Sequence, residues 1–131
     1  MILKVTQSVL DSLVLSATHA NPRECCGILV GEPGRITGAI ASANVHLSPE
    51  THFEIDPQAL IDAHRAAREG GPQIVGYYHS HPNGLARPSA TDAEQSAGDG
   101  AVWAIIAAGR VTFWRAGAGT FTALPYEVAP R

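Results

Sequence analysis

Ile74-Val75-Gly76-Tyr77-Tyr78-His79-Ser80-His81-Pro82-Asn83-Gly84-Leu85-Ala86-Arg87-Pro88-Ser89-Ala90-Thr91-Asp92 reads as a strand, a turn and a helix start in direct succession. Ile74 to His79 is a strongly apolar run short enough for a buried strand. Pro82-Asn83-Gly84 is turn chemistry, and a helix is expected over 89–97. His79 and His81 lie two apart at the strand's end, so their side chains face the same way and both imidazoles can reach one point. Asp92, early on the following helix, can fold back to that point. Two ring nitrogens and a carboxylate oxygen suit zinc, and three protein ligands leave a fourth position open, the mark of a catalytic rather than a structural site.

Each of these residues also has an ordinary reading. Two histidines can simply end a strand. Ser89-Ala90-Thr91-Asp92 is a capping-box pattern, with the serine as cap and the acid three residues on. Capping and ligation are compatible, because a helix start holds a hydroxyl and a carboxylate rigidly. Glu24, just before an apolar run at 25–30, is the candidate to move protons between water and a leaving group; taken alone it is an ordinary charged residue.

Outward from this segment the chain alternates helix and strand. Strands are expected over 2–6, 25–30, 36–45, 101–107, 110–115 and 120–124. A helical stripe runs over 8–20 and stops at Asn21-Pro22. A second helix opens at Asp56-Pro57, cap and first position respectively, with Leu60, Ile61, His64 and Ala67 at helical spacing. Residues 128–131 are expected to fray. The simplest packing is an α/β fold with a mixed central sheet flanked by helices, and 131 residues suit one domain over 1–131.

Composition narrows the function. Apolar residues make up 45% of the chain, as in a compact fold. The formal charge is −3, with one lysine, Lys4, and scattered arginines, so no nucleic-acid surface is expected. No signal peptide and no apolar run long enough to span a membrane is evident. Cys25 and Cys26 are adjacent and poorly placed to bridge each other, which fits a cytoplasmic setting.

Glu24, then His79-Ser80-His81, seven residues, Ser89, two residues and Asp92 resembles the JAMM metalloproteases, also called active MPN or JAB domains. Glu24-Cys25-Cys26-Gly27-Ile28-Leu29-Val30-Gly31 and His81-Pro82-Asn83-Gly84 are similar to the prokaryotic single-domain branch, and the likeness covers nearly the whole chain. The resemblance implies a cytidine-deaminase-like mixed sheet, one Zn2+ on His79, His81 and Asp92, Glu24 as general acid and base, and Ser89 supporting the oxyanion. It implies hydrolysis of the amide or isopeptide bond after the C-terminal Gly-Gly of a small ubiquitin-like or sulfur-carrier protein. Release of cysteine from a sulfur carrier's C-terminus and a non-catalytic scaffold are the alternatives it leaves open.

A Gly-Gly tail offers no side chains, so it must be gripped by backbone hydrogen bonds and a narrow channel. Residues 48–54 or 83–88 can wall it. Arg87 is a candidate for a substrate carboxylate or carbonyl, against a solvated loop arginine. His52 is a candidate pocket residue. Cys26 shares the parity of Glu24 and can lie beside the site, although a buried structural cysteine is the commoner case. A zinc nucleobase deaminase would need His-x-Glu and Pro-Cys-x-x-Cys, which are absent. A Cys26–His79 protease would leave His81 and Asp92 unused.

Overall fold

The computed structural model describes residues 2–130. Strand β1 (Leu3–Thr6) runs straight into α1 (Gln7–Ala20), where Thr6 is extended and its hydroxyl accepts the Val9 N–H at 3.3 Å. Strands β2 (Cys26–Glu32) and β3 (Arg35–Ser42) form a hairpin around Pro33-Gly34. Helix α2 (Pro57–Arg68) begins as expected: Asp56 accepts the Gln58 N–H at 3.0 Å and Pro57 fills the first turn. Then come β4 (Gln73–Ser80), α3 (Ala90–Gln95), β5 (Val102–Ala107), β6 (Arg110–Ala116), β7 (Phe121–Leu124) and β8 (Tyr126–Ala129).

All eight strands form one mixed sheet in the order β7-β6-β5-β4-β2-β3-β1-β8. Pairs β4/β5, β1/β3 and β1/β8 are parallel and the others antiparallel. Only Pro125 separates β7 from β8, yet they are the two ends of this order. Residues flanking a single residue can be at most about 7 Å apart. The sheet must therefore curl until its edges meet.

Strand alternation sorts the core onto two faces. Leu29, Tyr78, Ala104 and Ile106 meet Val9 and Leu13 of α1, and Ile28 and Val30 meet Ala63 of α2. Fully buried Leu13 contributes roughly 2 kcal/mol of apolar burial. His79 has the parity of Tyr77, which packs on the α2 side, so the site develops on that face.

Gly76 fixes how closely β4 approaches β5, because a Cβ there would overlap the Val102 carbonyl. Gly76→Ala is expected to destabilise the protein by about 3 kcal/mol, read as a lower urea midpoint. An unchanged midpoint would show that β5 can yield.

Four sequence expectations need correction. Residues 126–129 do not fray: they form β8, parallel to β1, with Lys4 paired to Glu127. Arg131 lies outside the described residues. Strand β3 stops at Ser42, where the chain turns into a loop closed by an Asn44–Ile55 bridge. Helix α3 ends at Gln95. The buried side of α2 is Ala59, Leu60 and Ala63, while Ile61 is 48% exposed and His64 faces solvent. Small alanines let the helix lie close on the sheet, nearest β4, and a scan for large apolar residues passes over them.

Candidate metal centre

His79 is the penultimate residue of β4 and His81 follows the strand. His81 N–H donates to Ile106 O at 2.9 Å, so the chain is still held against β5 where it leaves the sheet. The capping box at α3 is complete. Ser89 Oγ accepts the Asp92 N–H at 3.0 Å, and Asp92 Oδ2 accepts the Ser89 N–H at 2.8 Å. The cap locks the carboxylate's direction, and that direction is toward the two rings.

His79 Nε2 and His81 Nε2 lie 2.9 Å apart, and Asp92 Oδ1 and Oδ2 lie 3.0 Å from the first and second of them. All three residues are buried. His81 Nδ1 donates to Leu85 O at 2.8 Å, so Nε2 is the nitrogen left to face Asp92, by a proton in the metal-free protein and by its lone pair when a metal takes that proton's place. Tetrahedral zinc with bonds of about 2.0–2.1 Å sets its ligand atoms about 3.3 Å apart. The observed triangle needs to open only slightly. Two imidazole nitrogens converging on one carboxylate suit a cation between them, so the donor set fits zinc.

The charges agree. Burial alone would raise the Asp92 carboxyl, but hydrogen bonds from both histidines outweigh it and hold the group well below the usual carboxylate range. Complete burial lowers the His79 pKa. Burial opposes charge on His81 too, but Asp92 and the Leu85 carbonyl outweigh it and raise that ring.

Glu24 is buried, and its Oε1 has no hydrogen-bond partner among the described residues. Burial, offset in part by His81, pushes its carboxyl up to about 7, the range suited to exchanging protons at neutral pH. Its place is set by Ser80, the residue between the histidines. Ser80 Oγ accepts the Cys25 N–H at 2.8 Å and Ser80 N–H donates to Cys25 O at 3.1 Å, tying the chain beside Glu24 to β4.

The remaining sequence candidates lie around this cluster. Ser89 spends its oxygen on the cap, and its hydroxyl proton has no such commitment. Cys26 is opposite His79 in the β2/β4 register, with its thiol toward the carbonyls of Ser42, Ala43 and Glu54. Burial pushes that thiol up to about 12 and raises Cys25 as well, so neither is a ready nucleophile. His52 stacks on His46 at 4.7 Å instead of joining the metal cluster. Arg87 is exposed and forms no ion pair among the described residues. The loop carrying it is braced from β6, where Trp114 Nε1 donates to Thr112 Oγ1 at 2.9 Å and that hydroxyl donates to Ala86 O at 2.8 Å.

Sequence reasoning missed Phe53 and Trp103. Phe53 lies flat against the His79 ring, centroids 4.3 Å apart, and Trp103 meets both rings edge-on. A groove of about 600 Å³ runs from this wall past Ile55, Leu60 and Tyr77. A lone loop aromatic carries no signal of its partner. The alternation of β5, which puts Trp103 on the His79 face, was the available clue.

Residues 6–117 match the family model for prokaryotic homologs of the JAB domain. The chain is 35% identical over 108 residues to a desampylase of Haloferax volcanii, covering 80% of this chain and 78% of that one. A probable TtuB-protein conjugate cleaving protease of Thermus thermophilus is 32% identical, over 73% of this chain and 64% of its own. A CysO-cysteine peptidase of Mycobacterium bovis is 31% identical, over 70% and 63%. The chain thus spans just under two thirds of the last two. A JAB1/MPN domain protein of Archaeoglobus fulgidus superposes with a TM-score of 0.63 at 17% identity, covering 97% of this chain and 96% of that one, a likeness of fold. With the His-His-Asp cluster in place on this sheet, the chain belongs to the prokaryotic JAB-domain family of JAMM-type metalloproteases.

Proposed function

We propose that residues 1–131 act as one zinc peptidase domain that hydrolyses the amide or isopeptide bond after the C-terminal Gly-Gly of a small ubiquitin-like or sulfur-carrier protein. The observation that carries this reading is the convergence of His79, His81 and Asp92 with a buried, partnerless Glu24 carboxylate nearby. A non-catalytic scaffold has no use for a proton-accepting group buried at the cluster.

His79, His81 and Asp92 hold one zinc ion per chain. When bound, the ion would supply Lewis acidity, which in such sites lowers the pKa of water to about 7. Glu24 takes the proton of the attacking water and returns it to the departing amine. Ser89 turns its free hydroxyl proton to the developing oxyanion, an interaction worth roughly 3–4 kcal/mol in comparable sites. The Phe53–Trp103 wall borders the groove in which an extended tail without side chains can lie against the loop ahead of α2. Two unbridged cysteines suit a cytoplasmic setting, and among the described residues no helix is long and apolar enough to cross a membrane.

The likeness to the CysO-cysteine peptidase supports a second leaving group, a free cysteine, as well as the likeness to the desampylase supports a conjugate, with the same chemistry in both. One assay tests both. The zinc-loaded protein is incubated with a carrier ending in Gly-Gly-Cys, a carrier joined to a lysine, and a carrier with a peptide extension. At least one is expected to be cut after Gly-Gly, EDTA to stop the cutting and zinc to restore it. No cleavage of any of the three would end this reading.

A further inference from the structure

Asn44 sits half-buried between the end of β3 and α2, and its side-chain amide uses every bonding position it has. Its Nδ2 donates to Glu24 O at 3.0 Å and to His52 O at 2.9 Å, with Pro49 O further off at 3.4 Å. Its Oδ1 accepts the N–H groups of His46 at 3.1 Å and Glu54 at 3.0 Å. Only one orientation of the amide satisfies these partners, since three are carbonyls and two are N–H groups.

All of these partners are backbone, and they do two things together. They close residues 44–54 into a ring, which a Val45 N–H to Glu54 O bond at 3.0 Å completes. They also fasten that ring to Glu24, whose own N–H donates to Pro49 O at 2.7 Å. Both backbone polar groups of Glu24 are thus held by the loop that presents Phe53 to His79. A displacement of about 1 Å in a reacting group can cost roughly 100-fold in rate.

We infer that Asn44 is a positioning residue for the proton-transferring Glu24, acting by clamping the 44–54 loop to the Glu24 backbone. This deepens the proposed hydrolysis and rests on that reading. Asn44→Asp is the sharpest probe: it keeps the shape and the accepting Oδ1, and it replaces the two donors by a charged oxygen that repels the carbonyls of Glu24 and His52.

The experiment measures zinc content, KM and kcat for wild type and N44D, then repeats N44D in a Glu24→Gln background under single-turnover conditions. The expected result is unchanged zinc, KM within about twofold, and kcat lower by about 10- to 100-fold, as for other supporting contacts around metal sites. In the Glu24→Gln background N44D is expected to change the rate by less than about twofold, since the group it positions is already disabled. An unchanged kcat, an equal loss in both backgrounds, or loss of zinc would overturn the inference. If N44D does not fold, Asn44→Ser reads the same contacts, and failure of both to fold would overturn it too. If the wild type cuts no carrier, the functional reading fails, and the clamp is then judged by hydrogen exchange. The Glu24 and Val45 amides should exchange at least about tenfold faster in N44D with β5 unaltered, and equal exchange would refute it.

Discussion

Glu24→Gln is expected to keep its zinc and lose turnover by about 10²- to 10⁴-fold, with little change in KM. Glutamine matches the shape of the buried carboxyl but cannot take a proton. The same substitution should make the metal-free protein more stable, by an amount that grows as pH rises from 4.5 to about 7 and is constant above. Burial raises the folded-state pKa of Glu24 from 4.5 to about 7, so between those values the folded chain holds a proton that the unfolded chain has released. Stability from this group therefore falls as pH rises through that window. The variant should match the wild type below the window and exceed it above. Melting curves at both ends and a kcat measurement check the pair of effects. Turnover near the wild-type level would remove Glu24 from its role, and equal stability at high pH would mean its carboxyl is not strained by burial.

What the sequence could disclose was whatever a local period or a fixed spacing encodes. The parity of His79 and His81 placed both rings on one face, and the Ser89–Asp92 interval specified a capping box that also aims a ligand. The Asp56-Pro57 start of α2 was legible for the same reason. The unread parts depend on partners far away in the chain. Strand β8 is four residues whose only strand neighbour among the described residues is β1, near the other end of the sequence, so nothing local distinguishes it from a loose terminus. Phe53 gains meaning only when the sheet brings His79 beneath it. Asn44 binds backbone groups alone, and a backbone partner leaves no trace in residue identities.

Asp92 combines a helix cap with the proposed metal ligand in one carboxylate, and two substitutions separate them. Asp92→Asn can still accept the Ser89 N–H, so the α3 cap survives, but its neutral amide is a poor partner for a cation held by two neutral imidazoles. Asp92→Ala loses both functions. Each is expected to drop zinc from one per chain to a small fraction and turnover by more than about 10⁴-fold, beyond the Glu24→Gln loss, because the Lewis acid goes as well as the proton route. On metal-free protein D92A should be less stable than D92N by about 1 kcal/mol, the worth of a helix cap. Asparagine can also keep a neutral hydrogen bond to a ring, which alanine cannot, so the difference reports the cap together with that bond. Metal analysis, turnover and urea unfolding on the same preparations give all three numbers. Full zinc occupancy in D92N with wild-type turnover would mean that the ion sits elsewhere, and that the convergence of these three side chains is only a buried hydrogen-bond network.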